Sequence, residues 1–498
     1  MNDLDPDTCY RAALSSDSRF DGVFFLGVTS TGIYCRTVCR ARKPRKANCR
    51  FFANASLAEQ AGFRPCKLCR PEQSPRLSVF DFGSAMVATA VQRIEQGVLT
   101  NGNSLQQLAD HLGVSLRHMR RVFQSHMGVN PVQLAQTQRL LLAKRLLSET
   151  NLPVIQIAMA SGFGSLRRCN ALFKSTYGVS PTHFRDKKLL TKNKSNEVSS
   201  ITLTLGYRPP YAWPELLKYF QARAIPGVEW IDDDCYARTI QIADRIGWLR
   251  VTHDGIHHSL KVEIDSNLIG VIPQVLSRVR RAFDLDAMPT AISELLADDP
   301  ILAESVSRSP GLRLPGTLDF FETAVRTIIG QQVSVGAATT VMCRIVKAFG
   351  QPIETPFPQL NLRTILPNRI ARESIDTLAP LGLNSARANA ILLIARAIVD
   401  GKIQLEDSID PESTVAQLQQ LNGIGPWTAN YFGMRILGWP DAFIASDLVV
   451  RKRLAPLTVK QIEIRSQAWR PWRAYAVMHL WNASGFFQSK QTKPANIP

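Results

Sequence analysis

Four cysteines stand in two close pairs, Cys35-x3-Cys39 and Cys66-x2-Cys69, separated by a loop. Thiolates at this spacing close a tetrahedral zinc site, and two such pairs in a chain with nine cysteines, an odd number, point to metal rather than to disulfides. Cys9 and Cys49 stand outside the pairs. From Cys35 to Arg50 the chain carries seven Lys or Arg and no acidic residue, so the metal would sit beside a cationic loop suited to phosphate. A second set of residues lies far downstream in LNGIGPWTANYFGMRILGWPDAFIASD, residues 421–447. There Gly423 and Gly425 occupy a short break, Trp427 and Tyr431 follow one helical turn apart, and Asp447 precedes an apolar run. Glycines let a nucleic-acid backbone come close, and the free N–H groups that open a helix suit a phosphate. Taken alone, Asp447 is an ordinary helix N-cap and the two aromatics are ordinary core residues.

The elements that must hold these residues follow from periodicity. Val415, Leu418 and Leu421 lie at helical spacing over 412–421, and residues 422–425 then break the pattern. Both glycines there can take φ > 0 around the apolar Ile424. Pro426 opens a second helix, with Ala429, Phe432 and Ile436 on one stripe, so the unit reads as helix, hairpin, helix. Residues 80–187 read as all-helical with an internal repeat. SLQQLADHLGVSLRHMRRVFQSHMGVNPVQL, from Ser104, is echoed by PVIQIAMASGFGSLRRCNALFKSTYGVSPTHF, from Pro153, with Gly128 and Gly178, and Pro131 and Pro181, fifty positions apart. Each copy is a helix-turn-helix. Leu105, Leu108, Ala109 and Leu112 line one face, Gly113 turns, and Ser115 caps a helix bearing Arg117, Arg120 and Arg121. In the second copy Gly162 turns and Ser165 precedes Arg167 and Arg168, and a long helix over 131–148 joins the two. Second helices of this motif enter a major groove. Residues 185–200, RDKKLLTKNKSNEVSS, are polar and basic without apolar periodicity, as a linker is. Beyond them ITLTL, YARTIQI, GWLRVT and SLKVEI alternate, which predicts an antiparallel sheet with one buried face, and helical patterning returns over about 289–487.

Taken together these motifs resemble known families. TGIYCRTVCRARKPRKANCRFFANASLAEQAGFRPCKLCRPE resembles the zinc domain of Ada-type regulators, and the repeat resembles the AraC-type DNA-binding module. Residues 421–447, with WRPWRAYAVMHLW at 469–481, LGYRPPYAW at 205–213 and LRLPGTLDFFETAVRTIIGQQVSVGAA at 312–338, resemble the AlkA type of 3-methyladenine DNA glycosylase, in the helix-hairpin-helix superfamily. The resemblance implies that Cys35 takes a methyl group from a methylphosphotriester and is spent, while Cys35, Cys39, Cys66 and Cys69 hold Zn2+. It implies Asp447 as the essential carboxylate and Trp427, Tyr431 and Trp481, with Tyr219, as the lining of a base pocket. It puts Gln332 at the intercalating position, where the family carries an apolar wedge. It further implies a monovalent cation, Na+ or K+, on the carbonyls of Gln419, Leu421 and Ile424. An aromatic trio suits a cationic N-alkylated purine through cation–π stacking. No lysine lies between Lys402 and Lys452, so strand cleavage by an amine is not expected, and the one Pro-Cys pair, Pro65-Cys66, runs into Lys67, so the Pro-Cys-His motif of an O6-alkylguanine transferase is absent.

Composition agrees with this reading. The 498 residues are too many for one core and 45% of them are hydrophobic. Lys and Arg number 59 against 41 Asp and Glu, a net charge of +18, which argues for a polyanionic partner. With no bilayer-length apolar run and no basic-then-apolar N-terminus, the chain reads as a cytoplasmic bacterial protein without membrane contact. The expected fold class is multidomain, mainly α with an α+β domain. The expected divisions are a zinc-binding methyl-acceptor domain (1–78), a double helix-turn-helix domain (79–188), a linker (189–200), an antiparallel-sheet α+β domain (201–286), a helix-hairpin-helix glycosylase domain (287–490) and a tail (491–498). The expected function is excision of alkylated bases such as 3-methyladenine from double-stranded DNA, coupled to methyl transfer and promoter-specific regulation, with RNA polymerase as a further partner and the chain monomeric. The alternative is a purely regulatory sensor with a non-catalytic glycosylase-like half.

Overall fold

The computed structural model describes residues 5–76, 85–99, 104–185, 199–403, 405 and 410–485. Residues 189–198 of the expected linker, the tail at 491–498 and the expected boundaries after 78, 188 and 490 lie outside the described residues.

The chain opens with helix α1 (Pro6–Ser15) and a four-stranded sheet of β1 (Phe25–Val28), β2 (Ile33–Cys35), β3 (Cys49–Phe52) and β4 (Arg64–Pro65). The order is β3-β1-β2-β4, with β2 and β4 parallel and Tyr34 opposite Pro65. That register brings the ends of β2 and β4 together, and with them Cys35 and Cys66. Beneath helix α2 (Ala55–Gln60) the apolar core is only Phe25, Tyr34, Phe52, Ala58 and Phe63, too small to hold such a domain without a further tie.

Helices α3 (Ala85–Glu95), α4 (Leu105–His111), α5 (Leu116–Met127), α6 (Pro131–Glu149), α7 (Val154–Ala160), α8 (Leu166–Tyr177) and α9 (Pro181–Phe184) build the two repeats. Ser115 and Ser165 cap α5 and α8 as their spacing predicts, and Gly113 and Gly162 turn with φ of 66° and 79°. The first repeat closes its own core around Met119 and Phe123, whereas Phe173 and Tyr177 of the second join the core of the sheet that follows.

That sheet has strands β5 (Ser200–Gly206), β6 (Glu229–Ile231), β7 (Cys235–Ile242), β8 (Arg245–Asp254) and β9 (Ser259–Asp265), all antiparallel in the order β5-β9-β8-β7-β6. The expectation of one buried face fails for β7, which is buried on both. Helix α10 (Trp213–Gln221) covers one side, where Phe220 meets Tyr236 at 5.1 Å between ring centroids. The segment 351–362 covers the other, where Phe357 lies 4.9 Å from Trp248 and Thr239 Oγ1 donates to the Leu362 carbonyl at 2.7 Å.

The helical region contains α11 (Ile272–Ala282), α12 (Phe320–Ile329), α13 (Val335–Phe349), α14 (Ser385–Val399), α15 (Pro411–Leu418), α16 (Pro426–Arg435), α17 (Leu448–Arg453) and α18 (Arg473–Ala483), with further helices between them. Helix α16 separates two cores. Ala429, Phe432 and Ile436 face one, with Ile328 and Ile391, while Trp427, Tyr431 and Met434 face the other, with Trp481. Its second face carries Trp427 and Tyr431 of the cluster described next.

Candidate catalytic pocket and metal centre

Helix α15 stops at Leu418 rather than at 421, because Leu421 N–H bonds back to the Leu418 carbonyl and Ile424 N–H to the Leu421 carbonyl, tightening the chain into the hairpin. The two glycines differ, and only Gly423 uses the positive φ open to both. Gly423 has φ of 88°, and a Cβ there would meet Ala390 Cβ at 2.8 Å. Gly425 has φ of −78° as the N-cap of α16, and a Cβ there would meet nothing within 4 Å. Gly423 is required by the fold itself. The space over Gly425 is open, in front of a helix with no side-chain cap.

Asp447 caps α17, its Oδ1 accepting from the backbone N–H groups of Val449 at 3.0 Å and Val450 at 3.2 Å. The cap reading of the sequence is therefore correct, and it holds the carboxylate in a fixed position. Two indoles converge on the same group. Trp481 Nε1 donates to Oδ1 at 3.0 Å and Trp427 Nε1 to Oδ2 at 3.2 Å. Trp427 stacks on Tyr431 at 5.1 Å with 22° between planes, and Tyr431 lies 6.2 Å from Trp481. Tyr219 comes from α10, its hydroxyl 3.0 Å from that of Tyr431. The structure thus brings Asp447, Trp427, Tyr431, Trp481 and Tyr219 from four separate helices into one cluster, with Tyr219 and Trp481 buried and the other three half-buried. A carboxylate held by four N–H groups beside stacked aromatic rings can stabilise positive charge on a bound ring or sugar.

Two arginines at this site escaped the sequence reading. Arg435 Nη1 donates to both tyrosine hydroxyls, and the guanidinium carbon of Arg223 lies 3.8 Å from the Tyr219 ring centroid. The signal for Arg435 was its place one turn after Tyr431 on α16; Arg223 lies just past α10 and gave none.

Gln332 is exposed at the turn between α12 and α13, with φ of 57°, a strained conformation for a residue with a side chain. Its neighbour Gln331 ties the turn to the hairpin, Nε2 donating to the Gly423 carbonyl at 2.8 Å and to Thr428 Oγ1 at 2.9 Å. These two bonds join the turn to the hairpin.

In the metal centre the sulfurs of Cys35, Cys39, Cys66 and Cys69 lie within 4.8 Å of one another, the one cluster of its kind among the described residues. Tetrahedral zinc with Zn–S near 2.3 Å sets sulfurs about 3.8 Å apart, so the residues fit the ion. Arg36 N–H points at Cys69 Sγ (3.3 Å) and Leu68 N–H at Cys66 Sγ (3.4 Å), donors that favour thiolates. The cationic loop is less free than its sequence implies. Arg36 pairs with Asp21, Lys46 with Asp7, and Lys43 donates to Ser16 Oγ and the Cys39 carbonyl, which leaves Arg40, Arg42, Arg45 and Arg50 exposed.

Arg117, Arg120 and Arg121 on α5 and Arg167 and Arg168 on α8 are all exposed, opposite the buried Met119, Phe123, Cys169 and Phe173.

Four family models match in succession: the metal-binding domain of Ada over 8–72, a helix-turn-helix domain over 108–187, the AlkA N-terminal domain over 202–319, and the HhH-GPD superfamily of base excision DNA repair proteins over 325–474. The chain is 36% identical over 482 residues to the probable bifunctional transcriptional activator/DNA repair enzyme AlkA of Mycobacterium tuberculosis, covering 96% of each chain. It is 34% identical to the DNA-3-methyladenine glycosylase 2 of Escherichia coli, over 57% of this chain and 98% of that one. The 3-methyladenine DNA glycosylase of Archaeoglobus fulgidus, at 21% identity and a TM-score of 0.50 over 57% of this chain and 98% of that one, shares the fold.

Proposed function

The chain belongs to the family of bifunctional transcriptional activator/DNA repair enzymes that join an Ada-type zinc domain and helix-turn-helix to an AlkA-type glycosylase, and from that membership we propose how its residues divide the work. It is a DNA-3-methyladenine glycosylase carrying its own methyl-accepting sensor and DNA-binding module. The observation that carries the catalytic assignment is the grip on Asp447, two backbone and two indole N–H groups beside the stacked Trp427 and Tyr431.

A base in a duplex must be turned out before its glycosidic bond can be reached. Gly423 and Gly425 with the start of α16 hold a phosphate, and Gln332 enters the stack from the adjoining turn, supported by the tie between Gln331 and the hairpin. Carbonyls of Gln419, Leu421 and Ile424 would hold a monovalent cation there. An alkylated purine already carries positive charge and leaves readily, so the need is to stabilise the oxocarbenium sugar that remains, and the Asp447 carboxylate does this while water attacks. In the zinc domain the thiolates of Cys35, Cys39, Cys66 and Cys69 would hold Zn2+, and the bound ion would keep Cys35 deprotonated and nucleophilic at neutral pH. Cys35 sulfur attacks the methyl carbon of a methylphosphotriester, the O–CH3 bond breaks, and the phosphodiester leaves with its negative charge. The resulting thioether carries one negative charge fewer beside the DNA backbone. The arginines of α5 and α8 read promoter DNA, and RNA polymerase is the further partner of a monomeric, cytoplasmic protein. Incubation with methylated DNA, with chromatography for free 3-methyladenine and mass spectrometry of the Cys35 peptide, tests both activities. DNA that stays intact while Cys35 gains a methyl group would leave a regulator without catalysis.

A further inference from the structure

Two guanidiniums, those of Arg435 and Arg223, lie against the tyrosines of the aromatic cluster around Asp447. Arg435 is only 5% exposed. Its Nε donates to the Pro315 carbonyl, its Nη2 to the Gly316 carbonyl at 2.9 Å, and its Nη1 to the hydroxyls of Tyr219 and, at 3.3 Å, Tyr431. Among the described residues no carboxylate forms an ion pair with it. Its guanidinium carbon lies 4.6 Å from the Tyr219 ring centroid and 5.9 Å from that of Tyr431, with Arg223 against Tyr219 as well. A cationic purine stacked above two guanidiniums would be repelled unless a neighbouring group supplied compensating negative charge. The groups in contact that can become anionic are the two phenols, whose oxygens already share one guanidinium nitrogen.

We propose that Tyr431 is a titrating charge of the base pocket: its phenolate, paired with Arg435 and hydrogen-bonded by the Tyr219 hydroxyl, is the form that holds a cationic N-alkylated base. This rests on the glycosylase reading given above and names the charge on which recognition turns. Stacked against Trp427 and 6.2 Å from Trp481, the Tyr431 ring belongs to the aromatic cluster that the glycosylase reading makes the base pocket. The charged and titratable groups around it are Arg435 on its own helix, Tyr219 and Arg223 from α10 and its end, and Asp447 behind the indoles at the start of α17. Burial pushes the Tyr431 phenol up, but Arg435 and Arg223, aided by hydrogen bonds from Tyr219 and Arg435, outweigh it and bring it down to about 8. Burial raises Tyr219 to about 12, so Tyr219 keeps its proton and donates it. By reciprocity a cationic base entering the pocket pulls the Tyr431 proton off at still lower pH.

Two measurements on the full chain test this. Ultraviolet difference absorbance of tyrosinate should show one of the nine tyrosines ionising at about 8, and Tyr431→Phe should delete that step. Tyrosines that all ionise together at or above about 10 would overturn the assignment. In single-turnover excision of 3-methyladenine, corrected for spontaneous release and referenced to binding of undamaged DNA at each pH, the half-saturating enzyme concentration should fall about tenfold or more between about pH 6.5 and about pH 9.5. Tyr219→Phe, which keeps the ring and removes the hydrogen bond, should move the midpoint to higher pH, and Tyr431→Phe should bind the lesion weakly with no pH dependence. Excision with a flat profile in the wild-type protein would overturn the titrating charge. No excision at any pH would overturn the glycosylase reading instead, and the absorbance titration would still decide the charge state.

Discussion

At the scale of single residues, one carboxylate serves two purposes that substitution can separate. Asp447 closes the first turn of α17 and also accepts from Trp427 and Trp481. Asparagine caps a helix about as well as aspartate, so Asp447→Asn should still fold, but its amide NH2 cannot accept from Trp427 as Oδ2 does, and stability should fall by about 1–2 kcal/mol. It loses the charge that opposes an oxocarbenium sugar, and the single-turnover excision rate should drop by roughly 100-fold to 1,000-fold or more. Affinity for DNA should stay within about twofold, because the missing charge acts in the transition state rather than in the ground-state complex. Fluorescence anisotropy beside an excision assay reads both, and wild-type turnover in this variant would remove Asp447 from the mechanism.

At the scale of elements, the hairpin between α15 and α16 makes a prediction that distinguishes fold from ligand. Gly423→Ala forces a side chain into φ near 88° and against Ala390, and should cost about 1–3 kcal/mol in a denaturant midpoint. Gly425→Ala meets neither obstacle, so stability should hold or rise slightly. If a phosphate rests on the start of α16, the added methyl group should still weaken binding of undamaged duplex several-fold, with little change in the salt dependence. Gly425→Ala with unaltered DNA affinity would show that the phosphate lies elsewhere.

At the scale of the whole molecule, the zinc domain is built into both halves of the chain. Lys144 of α6 is buried in an ion pair with Glu72 and lies 3.4 Å from the Cys66 carbonyl. Arg70, beside Cys69, pairs with Glu149, whose other oxygen accepts from Thr204 N–H of β5 at 2.8 Å. Arg208 is fully buried among carbonyls, donating to Asp21 at 3.0 Å, Arg76 at 2.8 Å and Asp286 at 3.0 Å. Removing zinc with a chelator, or Cys39→Ala, should therefore lower the melting temperature of the whole protein and not only unfold the first domain. A glycosylase half that melts at an unchanged temperature would show that these contacts carry no stability. Glu59 adds a pH dependence. It is buried between Tyr34 and Thr137 of α6, and burial raises its carboxyl from 4.5 to about 7. Between these values the unfolded chain has released this proton while the folded chain retains it, so stability declines as pH rises through the window, by up to about 3 kcal/mol. Glu59→Gln should flatten that part of the wild-type stability profile.

Much of this was legible in one dimension because it rests on local chemistry. The cysteine spacings specify a four-sulfur cluster, the fifty-residue repeat with its turn glycines and capping serines specifies two helix-turn-helix units, and Pro426 after the glycine break specifies a hairpin, since each depends on residues within a few turns of one another. Tertiary packing decided what no local pattern encodes. Strand β7 is covered on both faces because a segment more than a hundred residues later returns over it, and Gly423 rather than Gly425 is the constrained glycine because α14 lies against the hairpin. The cluster around Asp447 draws its side chains from α10, α16, α17 and α18, and the two guanidiniums against it become significant only when burial takes them out of water and sets them against phenols from distant parts of the chain. Residue type states what a group can do, but its charge state and partners are fixed by which surfaces exclude water together, and that is a property of the folded chain.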